Sequence, residues 1–396
     1  MKNTSYIELN KTALAKNIRF LKTKLGPDVK FTSVIKGNAY GHKIKYFLPL
    51  AEQCGIDYFA VSDAYEAEIT LKIKKPETNV MIMTMIDNED LYWAIENNLT
   101  YFIFEPDRLY QTIKAAKKLN KAARIHLELE TGMNRTGLEE SEILKAIELI
   151  NRNREFIFVE GVCTHFAGAE SVANYLRIQK QKDMYHHYYG LLMDNNIIPK
   201  YRHVASSAAT LTYPETMLDL VRIGIAQYGF WPSRETRMYN LLTEDSKFKH
   251  DPLQRVLSWK SRVMSLKTVR PGQFIGYGNS YMTSRTRKFA TVPIGYAHGF
   301  PRGLSNLGHV LIGGRKASVA GMVNMNMMMV DVSNIPVVEK GDEVVLIGRQ
   351  GKQEITVASF SDMARYVNYE QLTRLPLEIP RRIVHKENSG LSHEYR

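Results

Sequence analysis

The sequence predicts an α/β protein, a TIM-like (β/α)8 barrel followed by a mostly β C-terminal domain. Eight short apolar runs, rich in β-branched residues, alternate with amphipathic runs in the first 230 residues. Strands that alternate with helices predict a parallel sheet, and eight such units predict that the sheet closes into a barrel. Beyond Trp231-Pro232 the chain changes to alternating segments with tight-turn signals, which predict antiparallel strands.

The barrel elements follow from hydrophobic periodicity. Strands buried on both faces read as continuous apolar runs, whereas amphipathic helices repeat their apolar residues every three or four positions. We expect strands at residues 30–36, 57–62, 79–84, 100–105, 124–130, 156–166, 201–207 and 220–229. Helices are expected at residues 64–74, 88–98, 108–120 and 139–151.

The C-terminal segments predict a second domain. Strands are expected at residues 257–269, 288–296, 310–319 and 343–347, with Gly313-Gly314 as a hairpin turn. We place the barrel domain at residues 1–240 and the β domain at residues 241–396. Residues 1–10 are a candidate extra strand of the C-terminal domain, because the barrel has its eight strands without them.

Composition and charge narrow the class of protein. The chain has 396 residues, 44% hydrophobic and 24% charged, which is typical of a globular protein of two domains. Its formal net charge of +12 keeps a basic nucleic-acid-binding protein open as an alternative. The basic residues are spread along the chain, however, and no nucleic-acid motif accompanies them. Attraction of an anionic substrate or cofactor also explains the charge.

The cysteines and the N-terminus indicate the compartment. Cys54 and Cys163 have neither metal-ligand nor disulfide-framework spacing, so we expect a reducing cytoplasm and no metal site. The N-terminus lacks an apolar signal core, and no run approaches the roughly 18 apolar residues of a membrane helix. We therefore expect a soluble protein with no membrane partner.

One strand ends abruptly on a lysine. Residues 31–35 are apolar or small, and Lys36 follows them directly before a turn of small residues. Catalytic groups of barrels project from the carboxyl ends of the strands. A lysine with a lowered pKa at such an end can form a Schiff base or act as a base. Taken alone, Lys36 is better explained as a solvated loop lysine, because most lysines are exposed.

The turn and several later motifs carry a family resemblance. The run KGNAYGH at residues 36–42 resembles the cofactor-lysine signature of bacterial alanine racemases, which are barrel-class (fold type III) pyridoxal 5′-phosphate enzymes. Further matches, covering nearly the whole chain, are ETGMNRTG at 130–137, THF at 164–166, SSAA at 206–209, VRIGIA at 221–226, GYG at 276–278 and IGYA at 294–297.

The resemblance implies two catalytic bases. Lys36 would hold pyridoxal 5′-phosphate and then serve as one α-proton base, and Tyr277 would be the opposing base. Racemisation needs an acid/base group on each face of the substrate Cα. Because the two residues fall in different predicted domains, the resemblance implies a homodimer with composite active sites. Without it, Tyr277 would be interpreted as a hairpin aromatic between turn glycines.

The resemblance also implies how the cofactor is held. Arg222 would donate to the pyridine nitrogen and stay protonated itself, which makes the ring a weaker electron sink and favours proton return to Cα. The other implied cofactor-binding residues are Tyr40, His165, Ser206, Ser207, Gly224 and Ile225, of which Gly224 and Ile225 would offer backbone N–H groups to the phosphate.

Substrate recognition is implied at Arg135, a planar donor for the substrate carboxylate, and at the Met325 backbone N–H. His165 and His203 would support Tyr277 and Arg222. Judged without the resemblance, the methionine-rich run 325–329 is better explained as core packing.

Three positions depart from the family pattern. Glu128 stands where many members have a carbamylated lysine that orients the equivalent of Arg135, so a glutamate would supply that charge directly. Asn326 replaces a usual aspartate. Leu377 stands where many members place a tyrosine that contacts the phosphate, which would leave a wider substrate pocket.

These observations predict a pyridoxal-phosphate-dependent racemase that interconverts L- and D-alanine and supplies D-alanine for peptidoglycan. A serine or broader-specificity amino-acid racemase of the same fold is the first alternative, because of Asn326 and Leu377. A barrel-class amino-acid decarboxylase is a further one, although Cys163 is the last cysteine and none is available for its C-terminal site.

Overall fold

A computed structural model describes residues 3–243, 251–360 and 368–385. The chain forms two compact units. The barrel unit consists of Ala15–Ala39 and Phe47–Gln254, and the β unit consists of Met1–Leu14, Tyr40–Tyr46 and Arg255–Arg396. The domain boundary that the sequence suggested, between residues 240 and 241, stays a prediction.

Eight parallel strands form the barrel, as the sequence predicted. In chain order they are β2 (Lys30–Val34), β3 (Tyr58–Val61), β4 (Asn79–Ile82), β5 (Thr100–Ile103), β6 (Ala123–Glu128), β7 (Ile157–Cys163), β8 (Tyr201–His203) and β9 (Leu220–Ile223). Their order in the sheet is β8-β7-β6-β5-β4-β3-β2-β9. Backbone bonds from Asp219 N to Arg202 O (3.1 Å) and from Arg222 N to Ala205 O (2.9 Å) bring β8 and β9 together, so the barrel is nearly closed.

Helices follow the strands. They are α1 (Lys11–Leu25), α2 (Lys36–Tyr40), α3 (Ile44–Gln53), α4 (Ala64–Leu71), α5 (Leu91–Glu96), α6 (Pro106–Leu119), α7 (Glu140–Asn151), α8 (Tyr175–Asp194), α9 (Ser207–Thr212) and α10 (Arg234–Thr243). Of these, α2 is a single left-handed turn and not a right-handed helix. Local sequence explains several ends: Pro106 begins α6, and Asn120 ends it in a left-handed conformation. Glu139 and Glu142 form a capping box at the start of α7. No helix in the described ranges is long and apolar enough to cross a membrane.

The interior of the barrel carries polar side chains of β6. Arg124 forms a two-point contact with Glu160 of β7 (2.7 and 2.8 Å), and His126 bonds to strands β3 and β8, which are not its neighbours. Because β3 and β8 are not neighbours of β6 in the sheet, these bonds cross the lumen of the barrel. The register between β6 and β7 shifts at Ile125/His126, and such a bulge redirects side chains locally.

The β unit is built on one mixed sheet. Its strands are β1 (Tyr6–Asn10), β10 (Leu257–Arg262), β11 (Ser265–Val269), β12 (Arg287–Val292), β13 (His309–Ile312), β14 (Arg315–Val319), β15 (Met328–Asp331), β16 (Glu343–Gln350), β17 (Gln353–Ile355) and β18 (Arg381–Val384). Strand β1 pairs antiparallel with β10 and parallel with β18. A last short helix, α11 (Asn368–Thr373), also belongs to this unit.

The predicted hairpin is confirmed. Gly313 and Gly314 have φ values of 58° and 73°, and they join β13 to β14 with Ile312 opposite Arg315. A two-residue turn with positive φ at both positions matches the twist of an antiparallel pair, which explains the two glycines. Strand β15 was not predicted. In the methionine-rich run 325–329, Met328 is buried, as core packing requires, whereas Met325 and Met327 are exposed.

Gly41 is a point of close approach in the β unit. Its φ is +79°, and a Cβ atom there would lie 2.0 Å from the Leu372 carbonyl oxygen of α11. The buried Arg381 donates from Nη2 to the Gly41 carbonyl (2.8 Å) and from Nη1 to Pro376 O (2.8 Å). Glycine at this position therefore allows backbone-to-backbone packing that any side chain would prevent.

Gly41→Ala is expected to destabilise the protein more than Gly26→Ala. Gly26 has nearly the same φ, +76°, but no atom lies within 4 Å of the point that a Cβ would occupy there. Both variants carry a left-handed alanine, which costs about 1–2 kcal/mol. Gly41→Ala adds a clash with backbone, worth roughly 1–3 kcal/mol more. Thermal unfolding of the two variants measures the difference, and equal midpoints would contradict the packing described for Gly41.

Candidate active site

The residues predicted for the site in the barrel unit follow the carboxyl ends of its strands. Lys36 follows β2, Glu128 ends β6, and His165 follows β7. Ser206 and Ser207 follow β8, whereas Arg222 lies in β9 just before Gly224 and Ile225. Parallel strands end at the same mouth of a barrel, so these groups face a common region. Tyr40, Tyr277 and Met325 belong to the β unit.

The turn after Lys36 is left-handed. Residues 37–40 all have φ between 50° and 63°, and Ala39 N donates to Ile35 O (2.7 Å). Each non-glycine residue in this conformation costs about 1–2 kcal/mol. The turn is held by Glu66, whose carboxylate accepts from Asn38 N (2.7 Å) and Ser62 N (2.9 Å). Glu66 thus stabilises an unfavourable backbone directly beside the lysine.

Lys36 is exposed as a whole residue, although neighbouring protein groups partly desolvate its amine. Burial lowers the pKa of Lys36, and the positive charges of Arg135 and Arg222 lower it further, while Glu66 opposes them. A lowered pKa increases the fraction of the neutral amine, which is the nucleophilic and basic form. Both arginines thus lie within electrostatic reach of Lys36, and an anionic ligand between these cations would relieve their repulsion.

Arg222 is the most tightly held of these cations. Its side chain is 6% exposed, and its Nη1 donates to both His203 Nδ1 and His203 O (2.8 Å for the carbonyl). Its Nη2 donates to Thr164 O (2.7 Å) and more weakly to Val204 O (3.4 Å). These bonds use both terminal nitrogens, and they fix the plane of the guanidinium group.

Glu128 and Arg135 are coupled across one loop. Glu128 is buried, bonds to Thr136 and is attracted to Arg222 and Arg135, yet burial dominates and raises the pKa of its carboxyl. The loop that carries Arg135 is organised by Glu130, whose carboxylate accepts from Gly132 N (2.5 Å) and Asn134 N (2.9 Å). Arg135 itself is exposed, as a residue that binds a substrate would need to be.

The histidine and serine positions complete the mouth of the barrel. Burial, followed by the charges of Arg222, Arg135 and Lys36, lowers the pKa of His165 to about 3, so its imidazole is neutral. The Ser207 hydroxyl accepts from Gly224 N (2.9 Å). The Gly224 N–H therefore already has a partner, whereas Ile225 starts a 3₁₀ turn, where first-turn N–H groups point outward.

Tyr277 lies at the tip of a hairpin loop in the β unit. Gly276 and Gly278 flank it with φ of 72°, and 75% of the Tyr277 side chain is exposed. Met325 and Leu377 are also exposed, at 56% and 53%. These side chains are thus accessible on the surface of their own unit.

A broad depression of about 1120 Å³ lies at the opposite end of the barrel, at the amino ends of β2, β3, β8 and β9. Its charged groups are mostly paired: Lys22 Nζ donates to Cys54 O (3.1 Å) and Gly55 O (2.8 Å), and Lys30 pairs with Asp57 (2.5 Å). Paired lysines do not point to a catalytic site, and this end of a barrel contributes stability instead.

The fold and the strand-end groups define a class: a (β/α)8-barrel enzyme with a C-terminal β domain. Models of the alanine racemase N-terminal and C-terminal domains match residues 9–232 and 256–383. An alanine racemase of Leptospira interrogans is 34% identical over 388 residues, covering 97% of each chain. The chain belongs to the alanine racemase family of isomerases.

Solved structures of alanine racemases have the same fold as this chain. The alanine racemase of Bacillus anthracis with bound L-Ala-P has 30% sequence identity and a TM-score of 0.87, covering 97% of this chain and 96% of that one. The Bartonella henselae alanine racemase with covalently bound pyridoxal phosphate has 24% identity and a TM-score of 0.83, covering 97% and 100%. The latter likeness concerns the fold.

Three polar residues of the barrel unit were not predicted from the sequence to be important. Glu66 looks like a first-turn helix acid, and Tyr58 and His126 look like core residues of their strands. Their partners are far away in sequence, so no local pattern reveals them. The one feature of the sequence that could have indicated Tyr58 and His126 is the presence of a tyrosine and a histidine within the predicted barrel strands.

Glu66→Gln is expected to lower the thermal unfolding midpoint, whereas Glu68→Gln on the same helix is not. Glutamine places an N–H₂ group against one of two backbone N–H donors, a loss of about 1–3 kcal/mol. Glu68 is an exposed partner of Lys72 and contributes little. Thermal unfolding of both variants is the measurement. If they melt at the same temperature, Glu66 does not hold the left-handed turn.

Proposed function

We propose that this chain interconverts L- and D-alanine, using pyridoxal 5′-phosphate held by Lys36. The observation that carries the proposal is the lysine at the end of β2, whose pKa is lowered by burial and by Arg135 and Arg222. Family membership supports the same reaction. The decarboxylase and nucleic-acid-binding alternatives have no such support.

The residues at the barrel mouth fit this cofactor. An aldehyde needs a neutral amine, which Lys36 can provide. A phosphate needs outward N–H donors, which the turn that Ile225 begins can provide. Ser206 and Ser207 lie beside that turn, and the Tyr40 hydroxyl is a further proposed phosphate partner. When bound, the cofactor supplies an electron-withdrawing ring that acidifies the α-hydrogen of an amino acid joined to it.

Arg222 tunes that ring. Its guanidinium group stays protonated, so it donates a hydrogen bond to the pyridine nitrogen without giving up a proton. By leaving the ring nitrogen unprotonated, Arg222 would favour return of the proton to Cα over other outcomes. The bonds of Arg222 to His203 and Thr164 support this role, because they keep the guanidinium group in one orientation.

Two bases act on opposite faces of the substrate. Lys36 Nζ takes or returns the proton on one face, and the Tyr277 hydroxyl does so on the other. The exposure of Tyr277 on a loop flanked by glycines supports its delivery to a second protein chain. We therefore propose a homodimer in which Tyr277 of the partner subunit completes the site, with His165 supporting that phenol.

Substrate binding is assigned to the loop after β6. Arg135 pairs with the substrate carboxylate, and the Met325 backbone N–H adds a donor. Glu128 lies within electrostatic reach of Arg135, and its charge orients that guanidinium group without a carbamylated lysine. A role in supplying D-alanine for peptidoglycan and a cytoplasmic location stay predictions.

Lys36→Ala and Tyr277→Phe test the two-base proposal. Wild type should bind pyridoxal phosphate, become covalently labelled upon borohydride reduction and racemise alanine. Lys36→Ala should lose the label. Tyr277→Phe should keep the label, but lose about 10²–10⁴-fold in racemisation, the usual worth of a positioned acid/base group.

Deuterated solvent separates the two bases. Tyr277→Phe should still exchange the α-hydrogen of one alanine enantiomer and not of the other, because one base remains. Wild type without bound cofactor and without D/L interconversion would overturn the proposed function. Equal rates with D-alanine and D-serine would replace it with a broader amino-acid racemase, the alternative that the exposed Leu377 favours.

Glu128→Gln is expected to raise the KM for alanine about tenfold with little change in kcat. The variant removes the charge that orients Arg135, and interactions with a charged group are worth about 1.5–3 kcal/mol. Burial raises the pKa of the Glu128 carboxyl, so its charge is lost as pH falls through that raised value. The wild-type KM should therefore rise towards acid pH, at a higher pH than for an ordinary carboxyl.

The same titration should be missing from Glu128→Gln, because glutamine carries no charge at any pH. The measurement is KM against pH for both proteins and both alanine enantiomers. An unchanged KM in the variant would show that Arg135 is oriented by other groups.

A further inference from the structure

A continuous chain of hydrogen bonds crosses the lumen of the barrel from Arg222. Arg222 contacts His203 Nδ1, His203 Nε2 lies 2.7 Å from His126 Nδ1, and His126 Nε2 lies 3.2 Å from the Tyr58 hydroxyl. The Tyr58 hydroxyl lies 3.1 Å from Thr100 Oγ1, which lies 3.3 Å from Val80 O. We name this set the lumen chain: Arg222, His203, His126, Tyr58, Thr100 and Val80.

Its two ends determine the direction of every bond. A guanidinium group has no acceptor, so His203 Nδ1 must accept from Arg222, and the proton of neutral His203 must be on Nε2. His126 Nδ1 then accepts that proton, and His126 donates from Nε2 to Tyr58. At the other end, the Val80 carbonyl can only accept. Tyr58 therefore donates to Thr100, which donates to Val80.

Burial and charge keep both imidazoles neutral, as this direction requires. His126 and His203 are fully buried. Burial lowers the pKa of His126 to about 3, with help from Arg124 and Arg222, and it lowers the pKa of His203 far below the usual range. If His203 were protonated, its Nδ1–H would also face an N–H of Arg222, and two donors would oppose each other.

The barrel makes room for this arrangement. A Cβ atom on Gly161 of β7 would lie 2.2 Å from His126 Nδ1, so only glycine leaves space for the imidazole ring. The register shift at Ile125/His126 brings Gly161 opposite His126. Phe102 contacts both imidazoles from one side, with ring centroids 6.0 and 5.9 Å away. The register shift, Gly161 and the Phe102 ring thus together fix the position of His126.

We propose that Tyr58 and His126 are positioning residues for Arg222. By fixing the tautomer of His203, they keep its Nδ1 an acceptor, and the guanidinium group stays in the orientation it needs. If His203 changed tautomer, an N–H at Nδ1 would face the guanidinium N–H and displace it. The effect on catalysis rests on the proposed function, whereas the direction of the chain does not.

Nitrogen-15 NMR of histidine-labelled protein tests the direction of the chain, in the cofactor-loaded full-length chain. Wild type should show Nε2 protonated and Nδ1 unprotonated for both His126 and His203. Tyr58→Phe removes the acceptor of His126, so a mixture of tautomers should appear. The matched control is Tyr101→Phe, which removes another buried hydroxyl, bonded to Thr112 (3.3 Å) outside the chain. The control should leave both histidines unchanged.

Thr100 and Gly161 provide independent variants. Thr100→Val removes the acceptor of Tyr58 with nearly the same shape and should weaken the tautomer preference, whereas Thr100→Ser keeps a hydroxyl and should retain it. Gly161→Ala should displace His126 without removing any polar group. Should one variant fail to fold, the others still report on the same bonds.

Kinetics test the consequence for Arg222. Tyr58→Phe should lower kcat about tenfold with KM within twofold of wild type, and it should raise the share of abortive transamination; Tyr101→Phe should change neither. Tautomers that are reversed in wild type, or unaffected by Tyr58→Phe, would overturn the proposal, as would wild-type kinetics in Tyr58→Phe. An inactive wild type with the expected tautomers would instead overturn the proposed function and leave the chain direction intact.

Discussion

The buried guanidinium group of Arg222 is the interaction on which the rest of the site depends. Removing such a cation from water costs several kcal/mol unless its donors find acceptors. Two backbone carbonyls and an imidazole accept from its terminal nitrogens at close range. Burial is the main cause of the lowered pKa values of Lys36, His165 and His203, and the charge of Arg222 lowers all three further. The low pKa of the candidate nucleophile and the neutral state of the histidines thus depend on burial together with this buried charge.

A second constraint acts on the lysine itself. The left-handed turn after Lys36 costs free energy at three consecutive non-glycine residues, and Glu66 offsets part of that cost with bonds to two backbone N–H groups. Lys36, Arg135 and Arg222 also repel one another. A folded protein retains unfavourable features of this kind mainly at functional sites, where a ligand relieves them.

The barrel was predictable because its strands are buried on both faces and read as continuous apolar runs. Each of the eight apolar runs contains one strand of the barrel, β2 to β9. In the β unit the predicted runs correspond to β10 to β14 and β16, whereas β15, β17 and β18 were missed. Strand β15, with the sequence MMVD, is short and shows no alternation of apolar and polar residues, and β17 has three residues. Such strands form because adjacent strands present unpaired backbone N–H and C=O groups to them, and the local sequence does not show which strands will be adjacent.

The sequence by itself determined the order of strands and helices, the position of Lys36 at a strand end, and the motifs that mark the family. These are local properties, set by periodicity and by short runs of residues. Only the tertiary structure decided which polar groups meet. Glu66 reaches Asn38 across 28 positions, and His126 reaches His203 across 77. The pKa of Lys36 and the direction of the lumen chain depend on such distant partners, because charge and hydrogen bonding act through space between residues that only the folded barrel brings together.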